Sequence, residues 1–278
     1  MKRKHWTSEN NGHQTDLPRE PHHYENIECK PAVLLCYVAN SPTAKYGLKI
    51  NALPDSGCDI STISFDIAEH LNVHVLRTPK RAFSASGEEV TLCGQSTVYV
   101  RVKGVGVKKL KVLVEQGTRE EFTIGYMDLI TLRVLAPNFP NKRGATAPLL
   151  QHPLDNLKTT PLLQCNLHYY EGEHHRVTTV AAVPDTGCSG KTVLSTSFAR
   201  KIGIDLWPTT LRMKGAGGHK FKASGEANCA LTVAGTPRHN IIYRRVVVLD
   251  ITDHILLSWY DLIQLGVLNK NFPFPTPE

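Results

Sequence analysis

One short pattern occurs twice in the sequence, and that repetition constrains the fold more than any other feature. Leu53-Pro54-Asp55-Ser56-Gly57-Cys58 ends an apolar run, and Val183-Pro184-Asp185-Thr186-Gly187-Cys188 repeats it 130 positions later. A lone Asp-Ser/Thr-Gly tripeptide arises by accident in roughly one chain in ten of this length. Two copies, each between an apolar-Pro pair and a Cys, mark an internal duplication of whatever unit carries the acid.

The duplication extends well beyond the tripeptide. Before the first copy, Ala32 to Val38 and Tyr46 to Leu53 read as strands joined by the turn-forming Asn40-Ser41-Pro42. Leu162 to Tyr169 and Arg176 to Val183 take their places before the second. After the first copy, Ser64 precedes Phe65, Ile67, Ala68 and Leu71 at helical spacing, with Asn72 placed to end the helix. Ala199, Ile202 and Ile204 recur in the second half once one inserted residue is allowed, with Gly203 as the stop. Small-residue turns follow, Ser84-Ala85-Ser86-Gly87 and Gly215-Ala216-Gly217-Gly218, and then Gly94 and Gly225 open strands. Ile124-Gly125-Tyr126-Met127-Asp128-Leu129 is matched by Leu257-Ser258-Trp259-Tyr260-Asp261-Leu262, and Asn138-Phe139-Pro140 by Asn271-Phe272-Pro273. Asp128 and Asp261 read as helix N-caps rather than as further acids.

The expected organisation is a disordered tail over residues 1–30, a first mainly β domain over 31–140, a linker over 141–160 and a second copy over 161–275. At 278 residues the chain is long enough for each copy to bury its own core. No apolar run approaches the ~20 residues of a membrane helix, and Met1-Lys2-Arg3-Lys4 leads into polar residues rather than a signal-peptide core. Seven cysteines without framework spacing fit a reducing compartment, so a cytoplasmic location is expected. The net charge is +7, but Lys and Arg are scattered along the chain. That reads as a solvated surface and argues against nucleic acid as a partner of this segment.

An apolar strand into Asp-Ser/Thr-Gly, a small-residue hairpin about thirty positions on, and an apolar-apolar-Gly turn into a helix resemble the retropepsin family of retroviral and long-terminal-repeat retrotransposon aspartic proteases. The run Ile255 to Leu262 with Phe272-Pro273 is most similar to the protease segment of invertebrate retrotransposon polyproteins. The resemblance implies an all-β fold with short helices, two retropepsin-like barrels packed as a pseudo-dimer. It implies an aspartic endopeptidase in which Asp55 and Asp185, one from each repeat, form the catalytic pair, supported by Ser56, Gly57, Thr186 and Gly187. It implies a polypeptide substrate, held by Asp59 and by flap residues Ser86, Gly87, Gly217 and Gly218. No metal or organic cofactor is implied. In the family one monomer supplies one Asp; here one chain supplies both, and further self-association stays open.

The chemistry has its own physical logic. Two carboxylates about 3 Å apart cannot both ionise, so they share one proton, and one can take a proton from water while the other donates to an amide oxygen. A barrel that has lost catalysis and keeps the groove as a docking module is the alternative reading. Gly190-Lys191-Thr192 mimics the end of a phosphate-binding loop but has Asp185 where the earlier glycine belongs. Cys165 with His168, His22-His23 and His174-His175 lack a second ligand pair at zinc spacing. Cys58 and Cys188 read as packing residues, since no His recurs in register with them.

Overall fold

The computed structural model describes residues 30–85, 87–116, 122–140, 161–188, 190–214, 220–236, 240–251 and 255–275. Residues 1–29 of the tail expected over 1–30 and all of the linker expected over 141–160 lie outside them, as do Ser86, Gly217 and Gly218.

The first unit runs β1 (Leu34–Ala39), β2 (Leu48–Pro54), β3 (Thr62–Ser64), α1 (Phe65–His70), β4 (Ala82–Phe83), β5 (Glu89–Val90), β6 (Leu92–Val102), β7 (Gly106–Glu115), β8 (Phe122–Ile124) and α2 (Tyr126–Thr131). The second runs β9 (Leu163–Glu171), β10 (His174–Pro184), β11 (Val193–Ser195), α3 (Thr196–Ile202), β12 (Arg212–Lys214), β13 (Lys220–Lys222), β14 (Gly225–Val233), β15 (Ile242–Leu249), β16 (Ile255–Leu257) and α4 (Trp259–Gln264). Each unit closes a six-stranded barrel, in the orders β1-β2-β8-β3-β7-β6 and β9-β10-β16-β11-β15-β14, which superpose strand for strand. Apart from its barrel, each unit carries one two-stranded hairpin, β4–β5 or β12–β13. Among the described residues the fold is therefore all-β with four short helices, and its two halves are built alike.

Alternation in the sequence becomes the two faces of the barrel wall. Along β6, Ser96, Val98, Val100 and Val102 turn inward and are buried, while Thr97, Tyr99 and Arg101 turn out. Each inward Val or Leu contributes about 1.5–3 kcal/mol through burial. The buried residues of both barrels join one apolar cluster, so the two units share a core. No strand pairing links the barrels among the described residues. The Pro-rich exits instead fold back under the helices: the Tyr126 hydroxyl donates to the Phe139 carbonyl at 3.0 Å, and the Trp259 and Phe272 rings lie 6.4 Å apart. The Trp259 indole also donates to the Lys30 carbonyl at 3.2 Å, tying the start of the first unit to the second.

Caps set the helix limits. Ser64 accepts from the Ile67 amide and Ser195 from the Phe198 amide, at 3.3 and 3.1 Å. Asn72 (φ 51°) and Gly203 (φ 67°) take left-handed conformations just past α1 and α3 and end them. The expected capping by Asp128 and Asp261 is corrected: Gly125 and Ser258 hold the cap positions, and both acids sit inside the first turn with their carboxyls turned to the motif loops.

Gly94 and Gly225 serve a close backbone crossing. The segment after α1 pairs with β6, Leu76 and Gln95 exchanging two hydrogen bonds of 2.8 Å, and Trp207 and Glu226 do the same in the second unit. A Cβ on Gly94 would lie 2.3 Å from the Leu76 carbonyl oxygen; on Gly225 it would lie 3.1 Å from that of Trp207. Gly94→Ala should therefore cost about 2–3 kcal/mol and Gly225→Ala less than about 1 kcal/mol, read from urea unfolding. Equal losses at the two positions would contradict this crossing geometry.

Candidate active site

Each acid leaves the end of a barrel strand at the same place. β2 runs parallel to β8 and β10 parallel to β16, and at the strand ends the Asp55 and Asp185 amides donate to the carbonyls of Ile124 and Leu257 at 2.9 and 3.0 Å. The chain then turns through Ser56-Gly57 and Thr186-Gly187, and the two turns meet across the junction of the barrels.

The meeting is a reciprocal lock. The Ser56 amide donates to Thr186 Oγ1 at 2.9 Å and the Thr186 amide to Ser56 Oγ at 3.0 Å. In return Thr186 Oγ1 donates to the Pro54 carbonyl at 2.9 Å, and Ser56 Oγ donates to the Pro184 carbonyl. Both hydroxyl residues are fully buried. Proline at 54 and 184 fits because the lock uses its carbonyl and the strand end uses the following amide, so the missing N–H is not called upon.

The lock brings the two acids into contact. Asp55 and Asp185 are half-buried, and their carboxyl groups share a hydrogen bond. Gly57 and Gly187 donate amide protons to Oδ1 of their own acids at 2.9 Å each, and Cys188 donates to Asp185 Oδ1 at 3.0 Å. A Cβ on Gly187 would lie 2.6 Å from the Asp55 carboxyl carbon, and one on Gly57 3.0 Å from that of Asp185. Any larger residue at either position would push the acids apart. Desolvation raises the pKa of both carboxyls; at Asp185 the Asp55 charge adds to it, taking that residue well above the usual carboxylate range. Burial and the neighbouring charge both oppose ionising the two carboxyls together, which favours a pair that shares a proton.

Below the loops a second set of contacts carries them. Ser61 Oγ donates to Asp128 at 2.5 Å and accepts from the Gly125 amide at 3.0 Å. Thr192 Oγ1 donates to Asp261 at 2.6 Å and accepts from the Ser258 amide at 3.1 Å. Asp261 also takes a buried ion pair from Arg244 at 2.5 Å, where the matching position of β7 is Leu110. Sequence reading missed these supports, although a hydroxyl at both Ser61 and Thr192, and an acid at both Asp128 and Asp261, was a repeat signal that could have found them. A Cβ at Gly125 would come within 2.9 Å of the Cys58 carbonyl. Ser258 accommodates its side chain by a longer contact, Trp259 N to the Cys188 carbonyl at 3.4 Å against 2.9 Å for Tyr126 N to that of Cys58.

The remaining sequence candidates sort plainly. Gly87 (φ 83°) lies exposed at the turn of the β4–β5 hairpin, where its amide donates to the Ser84 carbonyl at 2.9 Å. Asp59 is half-buried in the loop one residue past Cys58. Burial and the neighbouring carboxylates push both the Cys58 and Cys188 thiols up, and their sulfurs donate to the carbonyls of Ile60 and Lys191. They stay protonated packing groups. Lys191 is buried in an ion pair with Glu226 at 2.5 Å, which leaves it no phosphate to hold. Among the described residues no three His, Cys, Asp or Glu side chains are placed around one metal position, and none of the six cysteines is in a disulfide.

Raised carboxyl pKa values make stability pH-dependent. Below about pH 4 both acids are protonated in the folded and unfolded chain, and the pair is neutral in its effect. As pH rises the unfolded chain ionises both while the folded pair keeps its proton, so stability is lost until pH passes the raised value of Asp185. Each pKa unit of that elevation corresponds to about 1.4 kcal/mol. Asp185→Asn should therefore melt higher than the unaltered protein at about pH 7 and equally near pH 3–4 by differential scanning calorimetry. A variant less stable at neutral pH would refute the shared-proton arrangement.

Residues 171–260 match the family model described as aspartyl protease. Among solved structures the chain is similar to the EIAV protease complexed with the inhibitor HBY-793, at 20% identity over 40% of this chain and 93% of that one, with a TM-score of 0.30. It is also similar to the aspartic proteinase from Irpex lacteus, at 12% identity over 85% of this chain and 92% of that one, with a TM-score of 0.40. No curated protein sequence matches the chain. The family match falls on the second unit, and the first unit repeats its strand order around the same tripeptide, so the chain holds two copies of one barrel unit, the second of them similar to aspartyl proteases.

Proposed function

We propose that the chain is an aspartic endopeptidase with one active site per polypeptide, formed by Asp55 and Asp185. The observation that carries this reading is the hydrogen bond between the two carboxyls, held across the duplication by Ser56 and Thr186. Packing alone has no need of two acids forced together at the end of two strands. The ionised carboxylate takes a proton from water as the water oxygen bonds to the scissile carbonyl carbon, and the protonated partner gives its proton to the carbonyl oxygen. The first acid then protonates the departing nitrogen, the second recovers a proton from the diol, the C–N bond breaks, and the pair returns to one shared proton. An extended peptide lying across the barrel junction is the substrate, with Asp59 against its backbone and the hairpin that turns at Gly87 over one side.

Substitution tests the assignment. Asn keeps the shape of Asp but cannot take up or release the shared proton, so Asp55→Asn and Asp185→Asn should each lower kcat by about four orders of magnitude or more while the chain still melts cooperatively. Because every site contains one residue from each repeat of the same chain, mixing the two variants restores nothing. Full cleavage of a peptide library by either single variant would overturn the assignment, as would an unaltered protein that binds peptides but cleaves none between about pH 3 and pH 7.

Inhibition offers an independent check. A peptide carrying a hydroxyl at a tetrahedral carbon in place of the scissile carbonyl matches the diol the pair stabilises, and should bind at least about a hundredfold more tightly than the matching peptide. Competition kinetics read this directly, and equal affinity for the two would contradict the proposed chemistry.

A further inference from the structure

The basic residues that are scattered along the sequence converge on one face of the first barrel. On β1, Cys36 and Val38 are buried, so Tyr37 points outward, and its neighbours across the sheet are Lys49 on β2 and Arg101 on β6. Tyr99 lies diagonally from Tyr37 and directly opposite Lys109 on β7, while Thr97 is opposite Lys111. The outer wall of β2-β1-β6-β7, ~14 Å wide at ordinary strand spacing, thus carries two tyrosine rings among Lys49, Arg101, Lys109 and Lys111. The flanking loops add Lys45, whose ammonium sits 5.4 Å from the centre of the Tyr46 ring, and Lys103. Tyr37 is 46% exposed and Tyr46 80% exposed. Among these four strands the sole carboxylate is Glu115, at the far end of β7. Tyr37, Tyr99 and Arg101 also form one wall of a cleft of about 180 Å³ lined on the other side by the Ser41–Gly47 loop.

The duplication supplies an internal control. In the second barrel the same positions, matched through the strand registers, hold Asn166 for Tyr37, Ala230 for Tyr99, Thr232 for Arg101, Thr179 for Lys49 and Tyr243 for Lys109; only Lys111 keeps a cation, as Arg245. Ala230 and Thr232 are buried, whereas their counterparts Tyr99 and Arg101 are half-buried and exposed, respectively. The fold therefore closes the barrel without rings or cations here, and their presence on the first unit is not a demand of the architecture.

We propose that this face of the first barrel binds single-stranded nucleic acid. Exposed aromatic faces spaced ~7–8 Å apart diagonally across a sheet can each receive an unstacked base, and the surrounding Lys and Arg side chains neutralise phosphates. An acidic polypeptide would satisfy the cations but has no use for open rings, which is why the nucleic acid is the better fit. The face lies outside the barrel and away from the Asp55–Asp185 junction, so a bound strand leaves the peptide site open.

Fluorescence anisotropy of the full chain with a fluorescein-labelled oligodeoxythymidylate of about 16 nucleotides tests this. Binding is expected at ~50 mM salt and should weaken steeply toward ~200 mM. Tyr37→Ala with Tyr99→Ala should weaken it about tenfold or more with little change in salt dependence. Arg101→Ala with Lys109→Ala should weaken it and reduce the slope of log K against log salt by about 1.4. Thr179→Ala, at the matching place on the second barrel, should change nothing. All the substituted side chains point to solvent, and an unchanged melting midpoint confirms that each variant is folded. No binding at ~50 mM salt, or binding indifferent to both double variants, overturns the proposal. So does a polyglutamate peptide that displaces the oligonucleotide while the tyrosine pair proves irrelevant, since the face would then belong to an acidic polypeptide.

Discussion

The structure depends on the lock between Ser56 and Thr186. Two carboxylates in contact and partly withdrawn from water repel, and nothing in either barrel alone would hold them there. The lock does so with four buried hydrogen bonds from one unit to the other, made by two backbone amides, two proline carbonyls, and two hydroxyls that each donate and accept. Opening it would leave buried amides and carbonyls unsatisfied, each at about 1–3 kcal/mol. The same geometry explains the glycines, since each motif glycine binds its own acid through its amide while the side where a Cβ would stand faces the opposite acid. A duplication that kept the acids but lost either hydroxyl would keep the barrels and lose the pairing.

A two-chain dimer must use identical halves, whereas a tandem lets each half change without the other. This chain has used that freedom around a nearly symmetric centre. Asp128 is held by Ser61, while Asp261 is held by Thr192 and Arg244. Ile60 and Gln95 of the first unit are answered by the buried Lys191–Glu226 pair in the second. Phe83 on the first hairpin is 55% exposed beside Arg81, while Met213 and Phe221 on the second pack onto a separate apolar cluster with Val183 and Leu256. The two hairpins therefore differ in how far their apolar side chains are covered, which identical halves cannot achieve in a symmetric dimer.

The repeat made most of this legible before any coordinates. Strand alternation, the caps at Ser64 and Ser195, the stops at Asn72 and Gly203, and the pairing of Asp55 with Asp185 all follow from local pattern read twice. What stayed hidden depends on partners distant in sequence. An Asp in the first turn of a helix gives the same sequence signal whether it caps the helix or reaches Ser61, 67 residues away. Arg244 reads as a strand residue until β15 sets it against α4, and the contact between the units is invisible in the pattern because, among the described residues, it is made by packed side chains rather than paired strands.

The distribution of charge is hidden from the linear sequence in the same way. Lys49, Arg101, Lys109 and Lys111 are spread over 63 positions, so a window along the sequence sees no cluster. The barrel brings β2, β1, β6 and β7 side by side, and the period of two puts these residues on the outer face while Val98, Val100, Val102, Leu110 and Val112 fill the inside. Outward positions can change freely because the core does not sense them. A duplicated barrel can therefore keep one copy's inner face and catalytic loop intact while its outer face takes on a chemistry the other copy lacks, which is the difference between Tyr37 with Arg101 and Asn166 with Thr232.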